Sequence, residues 1–234
     1  MKGARRDLQQ ALAGRGLDPR QLGQFERILR ELEDDEHAPT TVRDARDAVD
    51  AHLADSLVGL DFDEIRSACA IADLGSGAGF PGTALAVALP GARVSLVESQ
   101  RRKCEFLRGL CARAEIANAT VVCARAEEWQ DGRGANDVVV ARALAPQRVV
   151  LEYAAPLLRL GGTLVDWRGK RSEQDERTAA GAAQTLGLHR REIRHVQPFA
   201  QARDRHVHVF TKIAETPGRF PRRAGIARKR PLGG

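Results

Sequence analysis

The chain has 234 residues, and its 43% hydrophobic content is sufficient to bury the core of one large domain. No stretch approaches the roughly 18 consecutive apolar residues of a transmembrane helix, and no apolar signal core follows the N-terminus. The sequence therefore predicts a cytoplasmic protein with no membrane partner. Its net charge of +6 is local, because residues 218–234 hold six basic and no acidic residues, which leaves 31 of each sign elsewhere.

The first part of the chain has the apolar spacing of amphipathic helices. From residue 5 to about 57, apolar side chains recur at three- and four-residue steps. This spacing predicts an N-terminal helical extension, residues 1–60, that caps or flanks the rest of the protein. The residues that carry the pattern are Leu8, Leu12, Leu22, Phe25, Ile28, Leu29 and Leu32.

After Asp61, apolar runs alternate with amphipathic stretches, which predicts a mostly parallel α/β sheet with helices on both faces. Seven strands are predicted near residues 70–74, 92–97, 120–124, 136–141, 162–166, 190–196 and 206–212. Helices are predicted near residues 81–89, 100–115, 146–159 and 172–186. No helical pattern separates the last two strands, so we expect an antiparallel hairpin at one edge. This main domain is assigned to residues 61–217.

The end of the first predicted strand carries a glycine-rich loop. Asp73 is followed by Gly75, Gly77 and Gly79, and Pro81 suits the first turn of the next helix. Glycine adopts positive φ without strain and lets backbone amides press against a ligand. The segment therefore predicts a nucleotide site between a strand and a helix.

Two further residues indicate which nucleotide binds. The dinucleotide fingerprint needs a third small residue where Phe80 stands, which weakens an assignment to NAD. The Asp-x-Gly-x-Gly-x-Gly pattern instead resembles the first motif of class I methyltransferases, whose cofactor is S-adenosylmethionine. Glu98 ends the second apolar run, 23 residues after Gly75, where a carboxylate can accept both ribose hydroxyl protons. The expected fold is therefore that of a Rossmann-like class I methyltransferase.

Several segments resemble one branch of that superfamily, the RsmG (GidB) family of small-subunit ribosomal RNA methyltransferases. The Gly-Phe-Pro-Gly loop and the Pro-Arg-Arg tail are together the most specific of them. Two stretches depart from the family pattern: residues 36–41 replace a Trp-Asn-Leu-Thr-like stretch, and Arg168-Gly169 replaces a Lys-Gly pair. The matching segments are residues 52–57, 79–82, 101–107, 125–128, 141–143 and 219–232.

The resemblance implies which residues bind the cofactor. By this resemblance, Gly75 and Phe80 line the cofactor, Ala126 and Glu127 meet the adenine, and Arg142 lies below the cofactor. Residues after the third and fourth strands face the crevice where open α/β sheets bind ligands, which agrees with these positions. The complete predicted set is Gly75, Gly77, Phe80, Glu98, Ala126, Glu127 and Arg142.

The reaction implied by the resemblance is methyl transfer from S-adenosylmethionine to N7 of a guanine. N7 carries a lone pair and no proton, so the reaction needs alignment and exclusion of water, and we predict no catalytic acid or base. The sequence after the fourth strand, residues 141–146, lacks the Asn/Asp-Pro-Pro-aromatic motif of exocyclic-amine methyltransferases. Three alternatives stay open: a methyltransferase of another substrate, a non-catalytic RNA-binding module, and an NAD enzyme.

The basic residues 218–234 form a third segment, which is expected to contact RNA phosphates and to leave the cofactor site independent of it. Its partner would be small-subunit ribosomal RNA or the assembled small ribosomal subunit, and we expect the protein to be a monomer. The alternative is a solvated tail that only aids solubility. The predicted RNA-binding residues are Arg219, Arg222, Arg223, Arg228, Lys229 and Arg230.

Other reactive side chains are assigned structural roles. The four cysteines form no C-x-x-C pair and are expected to be free thiols. His206 and His208 share one strand face, but no third ligand has suitable spacing, so no metal site is predicted. His52 and Asp55 share a helix face and either close the pocket or form a packed polar pair.

Overall fold

The computed structural model describes residues 8–9, 12–42 and 44–233, and a seven-stranded sheet forms its centre. The strands are β1 (Ala70–Leu74), β2 (Arg93–Glu98), β3 (Ala119–Cys123), β4 (Asn136–Arg142), β5 (Leu158–Arg168), β6 (Leu188–His195) and β7 (His206–Lys212). Their order in the sheet is β3-β2-β1-β4-β5-β7-β6. Strand β7 runs antiparallel to both β5 and β6, whereas β1 to β5 pair in parallel. The predicted mostly parallel sheet with an edge hairpin is confirmed.

The helices pack on both faces of the sheet and form two hydrophobic clusters with it. The strand order reverses between β1 and β4, which places a ligand crevice at the carboxyl ends of these two strands. None of the described helices is long and apolar enough to cross a bilayer. The α-helices are α1 (Pro19–Asp34), α2 (Ala45–Ala48), α3 (Asp55–Leu57), α4 (Asp63–Arg66), α5 (Gly82–Ala88), α6 (Arg101–Arg113), α7 (Gln147–Ala154), α8 (Glu173–Thr185) and α9 (Ile226–Lys229).

Two predicted boundaries are wrong around Pro156. The helix predicted over residues 146–159 ends at Ala154, and β5 begins at Leu158 instead of near residue 162. Proline has no amide with which to continue a helix, and Leu158 pairs with Asn136 of β4. The apolar run before the Gly-Gly pair therefore belongs to the sheet.

The N-terminal helices share a core with the sheet. Asp18 caps α1 by accepting a hydrogen bond from the amide of Gln21 at 2.8 Å, and Pro19 occupies the first turn. The predicted helical extension is confirmed from residue 19, while residues 5–7, where the pattern starts, lie outside the described residues. The boundary at residue 60 stays a proposal. The face of α1 that packs in the sheet's cluster consists of Phe25, Ile28, Leu29 and Leu32.

The C-terminal segment, residues 218–233, folds back onto the body of the protein. Phe220 and Ala227 are 6% and 1% exposed, and both belong to the cluster that contains α7 and α8. The segment is therefore packed against the protein and is not a solvated tail. The basic charge is carried by a docked segment.

Candidate active site

The glycine loop between β1 and α5 is tied to the end of β2. The amide of Gly75 donates to the carbonyl oxygen of Val97 at 2.8 Å, and the amide of Gly77 donates to the Glu98 carboxylate at 3.2 Å. These two amides are hydrogen-bonded within the protein, and the predicted contact of the loop with a ligand stays a prediction. Glycine is needed at position 75 because φ is +70° and a Cβ would lie 2.4 Å from Cδ1 of Leu144.

Asp73 holds the loop from the inside. Its carboxylate accepts a hydrogen bond from the amide of Gly82, at the start of α5, at 3.1 Å, and its carbonyl oxygen accepts one from the Ser76 hydroxyl at 2.9 Å. Burial raises the pKa of Asp73 to about 6. This acidic residue therefore fixes the strand, the loop and the helix in one geometry.

A cavity of about 380 Å³, here called the smaller cavity, opens at the carboxyl ends of β2 and β3. Glu98, at its edge, is 6% exposed, and its carboxylate accepts hydrogen bonds from the amides of Gly77 and Gln100 at 3.2 and 2.8 Å. Oε1 also accepts a hydrogen bond from the Ser99 hydroxyl at 3.5 Å, whereas Oε2 keeps a further lone pair for a ligand hydroxyl. The predicted cofactor residues that line this cavity are Gly75, Glu98, Ala126 and Glu127.

A second cavity, of about 730 Å³ and here called the larger cavity, meets the smaller one at Ala143 and Leu144, which line both. Ala143 has φ +54°, a left-handed conformation that non-glycine residues rarely adopt. Such strain at the junction of two cavities is typical of functional sites. The wall of the larger cavity includes four arginines, Arg142, Arg148, Arg168 and Arg205.

Arg142 joins the larger cavity to a buried aromatic stack. Its guanidinium donates to Oδ2 of Asp55 at 2.7 Å and lies 5.8 Å from the ring centroid of Phe80. The Phe80 ring stacks on His52, with centroids 4.7 Å apart and an interplanar angle of 8°. Phe80 and Arg142 therefore form one cluster with His52 and Asp55, and neither lines the smaller cavity. Their predicted cofactor contacts stay predictions, as does that of Gly77.

His52 is held in its neutral form. Burial and the neighbouring Arg142 charge lower the pKa of His52 to about 4. Its Nε2 atom lies 2.9 Å from Oγ1 of Thr40, within the stretch that departs from the family pattern. The carbonyl oxygen of Asp55 accepts a hydrogen bond from Nε1 of Trp167 at 2.9 Å. His52 and Asp55 both line the larger cavity and pack around Arg142 and Phe80, and their role in closing the pocket stays a prediction.

Comparison with known proteins identifies the chain. A protein-family model described as "GidB: rRNA small subunit methyltransferase G" matches residues 19–207. The chain belongs to this family. The ribosomal RNA small subunit methyltransferase G of Carboxydothermus hydrogenoformans is 33% identical and aligns over 94% of this chain and 95% of its own length. Its namesake from Syntrophomonas wolfei is 40% identical over 79% of this chain and 86% of its own length.

Solved structures of other proteins, a methyltransferase among them, share the fold. A SAM-dependent O-methyltransferase from Thermotoga maritima superposes with a TM-score of 0.55 at 16% identity, covering 69% of this chain and 65% of that one. The fibrillarin pre-rRNA processing protein of Methanococcus jannaschii gives a TM-score of 0.53 at 18% identity, covering 65% and 70%. The predicted Rossmann-like methyltransferase fold is confirmed.

S-adenosylmethionine is the cofactor that this family and fold support, and the residues of the smaller cavity fit it. The cavity places two carboxylates, Glu98 and Glu127, after β2 and β3, where hydroxyl and amino groups of a nucleoside need acceptors. A Cβ at Gly75 would displace Leu144, so the cradle depends on glycine there.

The basic C-terminal residues of this chain divide into two groups. Arg222 and Arg228 contact the protein: Nε of Arg222 donates to Glu152 at 2.8 Å, and Arg228 donates to the carbonyl oxygen of Leu144 at 3.1 Å. Arg222 is therefore held by the protein through Glu152, and its predicted contact with RNA stays a prediction. The exposed basic side chains of the segment that have neither an ion pair nor a hydrogen bond to the protein, among the described residues, are Arg219, Arg223, Lys229 and Arg230.

The remaining reactive side chains lie apart from both cavities, with one exception. His206 lines the larger cavity, and its Nδ1 atom lies 3.1 Å from the carbonyl oxygen of Gly169, whereas His208 is 3% exposed beneath it. No group of three metal-ligating side chains occurs in the part of the chain that the structure describes. The four thiols are free; Cys104 and Cys111 are buried, and Cys69 and Cys123 are exposed.

Proposed function

We propose that this protein transfers the methyl group of S-adenosylmethionine to N7 of a guanine in small-subunit ribosomal RNA. The observation that carries the proposal is the pair of cavities that meet at Ala143 and Leu144 in a member of a ribosomal RNA methyltransferase family. The smaller cavity takes the cofactor. The larger one, at about 730 Å³, has room for a nucleotide extruded from the RNA.

The polar groups beside Arg142 support attack by a nitrogen that carries no proton. His52 is neutral and engaged with Thr40, and Asp55 is ion-paired with Arg142. With its pKa lowered to about 4, His52 is a weak base, and the Asp55 carboxylate is neutralised by Arg142. Guanine N7 needs no general base because its lone pair is available. The residues around the junction would align the base with the cofactor and keep water out.

The cofactor supplies an electrophilic methyl group when bound. This chain's own contribution is position and electrostatics. Glu98 and Glu127 orient the nucleoside, Arg142 fixes the wall between cofactor and base, and Arg168 and Arg205 carry positive charge at the larger cavity, where RNA phosphates would approach.

The charge distribution supports RNA as the substrate. Arg148, Arg168 and Arg205 line the larger cavity, and the C-terminal segment adds exposed cations next to the smaller one. We propose that the protein acts in the cytoplasm as a monomer, on free small-subunit ribosomal RNA or on the assembled subunit. Sedimentation of the purified protein measures its oligomeric state.

Transfer of labelled methyl groups tests the proposal. Small subunits and deproteinised small-subunit RNA from cells lacking this enzyme are incubated with purified protein and S-adenosylmethionine labelled in the methyl group. We expect one methyl group per RNA molecule in at least one of the two substrates, and none in subunits from cells that have the enzyme. Gly75→Val serves as the inactive control, because its side chain would collide with Leu144.

The same experiment separates the alternatives. Transfer to proteins or small molecules alone would point to a methyltransferase of another substrate. RNA binding without transfer would point to a non-catalytic RNA-binding module. Binding of NAD in place of S-adenosylmethionine would contradict the family's cofactor as well as the proposal.

A further inference from the structure

The C-terminal segment contacts the lining of the smaller cavity at two points. The amide of Gly225 donates to Oε1 of Glu127 at 3.0 Å, and the guanidinium of Arg228 donates to the carbonyl oxygen of Leu144 at 3.1 Å. Glu127 and Leu144 both line the cavity, and Arg228 itself lines it together with Tyr153. The segment is therefore one side of the cavity.

The segment is anchored to α7 by buried contacts. Glu152 of α7 is 0% exposed, and its carboxylate accepts hydrogen bonds from Nε and the backbone amide of Arg222 at 2.8 and 3.2 Å. Phe220 and Ala227 pack in the same cluster as α7. A buried carboxylate is stable only when paired, so this ion pair holds the segment in one place.

A chain of polar groups links the segment to the adenine end of the cavity. Tyr153 is 5% exposed and lines the smaller cavity together with Glu127 and Arg228. Burial raises the pKa of Tyr153, and the Glu127 carboxylate adds to that shift, so the hydroxyl stays protonated and can donate. Three elements far apart in sequence thus meet around the predicted adenine contact, Glu127.

The exposed cations of the segment lie only a few residues from these contacts. Lys229 and Arg230 directly follow Arg228, and Arg223 is two residues before Gly225. A polyanion that binds these cations would reduce the residual motion of the docked segment around Arg228, which lies six residues after the Glu152 anchor at Arg222. A ligand that enters a cavity whose wall is already ordered loses less conformational freedom.

We propose that the C-terminal segment is a wall of the cofactor site, with Arg228 contacting the cofactor, and that RNA bound to its exposed cations tightens cofactor binding. The second half rests on the proposed function, because it requires RNA as a ligand. Coupling between two ligands is reciprocal, so the cofactor tightens RNA binding by the same factor. Substrate RNA and cofactor would thus favour each other's binding through one segment.

Calorimetry with S-adenosylhomocysteine, the reaction product, tests the wall without RNA and without turnover. We expect Arg228→Ala to raise the dissociation constant about tenfold, because a charged hydrogen-bond donor is lost from the cavity. Arg133→Ala is the matched control, since it removes the same charge from an exposed loop position that lines neither cavity. Equal affinities for the Arg228→Ala variant and the unmodified protein would contradict the proposal that the C-terminal segment is a wall of the cofactor site.

The coupling is measured by repeating the titration with saturating small-subunit ribosomal RNA from cells lacking the enzyme. We expect RNA to lower the dissociation constant of S-adenosylhomocysteine about fivefold or more, and a variant with Arg219, Arg223 and Arg230 replaced by alanine to lose this gain. If RNA binds without changing the dissociation constant of S-adenosylhomocysteine, the proposed coupling between RNA and cofactor binding is wrong, while the proposal of a wall is unaffected. Failure of the unmodified protein to bind the nucleoside or the RNA would contradict the proposed function as well.

Point variants are used because truncation after Pro217 would remove Phe220 and Ala227 from the core and leave Glu152 buried without its partner. Circular dichroism and thermal unfolding of each variant establish that it is folded before the titrations. A folded Arg228→Ala protein that binds S-adenosylhomocysteine more weakly supports the proposal that Arg228 contacts the cofactor. A folded one with unchanged binding contradicts it.

Discussion

Arg142 and Asp55, 87 residues apart in the sequence, form an ion pair of 2.7 Å in the wall of the larger cavity. Their side chains are 17% and 6% exposed, so the pair is largely shielded from water. Ion pairs of this kind fix geometry more than they add stability. Arg142 also follows the last residue of β4 that pairs with β1, which places it at the point where the strand order reverses.

Replacing Arg142 by alanine should lower the methyl-transfer rate about tenfold or more while changing RNA affinity little, because the residue aligns cofactor and base. It should also destabilise the protein by about 2 to 4 kcal/mol, since Asp55 would keep only Arg205, at 3.7 Å. Single-turnover rates, filter binding and denaturant unfolding measure the three effects. The double variant Arg142→Ala, Asp55→Asn should regain stability without regaining rate. Normal transfer by the single variant would make Arg142 purely structural.

Gly75 and Gly77 of the glycine loop should differ in their tolerance of valine. Gly75→Val places a Cβ 2.4 Å from Leu144 and should abolish binding of S-adenosylmethionine. A Cβ at Gly77 would meet only the carbonyl oxygen of Gly75 within 4 Å, at 3.7 Å, so the Gly77→Val substitution strains the backbone at φ +55° without a collision. A loss of cofactor affinity larger than that of the control then indicates a contact between residue 77 and the ligand. Gly134→Val is the control, with φ of +62° and open space around it. If both loop variants bind as tightly as the control in calorimetry, the cofactor lies elsewhere.

Glu98→Ala should weaken S-adenosylmethionine binding by about 1 to 3 kcal/mol, because charged hydrogen bonds to the ribose are lost. The variant also frees the amides of Gly77 and Gln100, which loosens the loop. Glu105→Ala, on the exposed face of α6, removes the same charge and should leave the affinity unchanged. Isothermal titration of the three proteins is the measurement, and equal affinities would remove Glu98 from the site.

Adjacent arginines of the C-terminal segment should behave differently. Arg222→Ala leaves Glu152 buried and unpaired, so we expect a loss of about 2 to 4 kcal/mol in the free energy of unfolding. Arg223→Ala should leave stability unchanged and reduce the slope of log affinity for RNA against log salt concentration by about 0.7 to 0.9, the effect of one phosphate contact. Unfolding curves and binding at several salt concentrations test both. The assignment fails if the two variants have the same phenotype.

Asp166 should make stability depend on pH. It is buried, its Oδ1 atom has no hydrogen-bond partner, and burial raises its pKa from 3.8 to about 7. A carboxyl whose pKa is higher in the folded state contributes stability that is present at low pH and lost as pH rises through the folded-state value. The free energy of unfolding of the Asp166→Asn variant, measured relative to the unmodified protein, should therefore be higher at pH 8 than at pH 4.5 by about 1 kcal/mol or more. Denaturant unfolding of both proteins at the two pH values is the measurement. The same stability difference between them at pH 4.5 and pH 8 would contradict this.

The sheet and part of the site were predictable because their determinants are local. The apolar run at residues 70–74, the glycines after it and Glu98 follow one another within one strand-helix-strand unit, and the structure brings Gly75 and Glu98 to one cavity. The boundary near Pro156 was missed because an apolar run followed by glycines fits either a helix end or a strand start.

Contacts between distant segments were not predictable in this way. Arg222 and Arg223 are adjacent and identical in type, yet only Arg222 reaches Glu152, 70 residues away. Gly225 meets Glu127 across 98 residues, which depends on how the C-terminal segment packs against α7. Composition indicates that such a segment is basic, but only the packed structure shows which charges stay exposed.

Identification of the methylated nucleoside tests the central claim most directly. Small-subunit ribosomal RNA from cells lacking the enzyme is incubated with the purified protein and S-adenosylmethionine, digested to nucleosides and analysed by mass spectrometry against authentic standards. The proposal predicts 7-methylguanosine as the product, absent when the Gly75→Val variant is used. A methyl group found on another base, on another atom of guanine or on a ribose would contradict it.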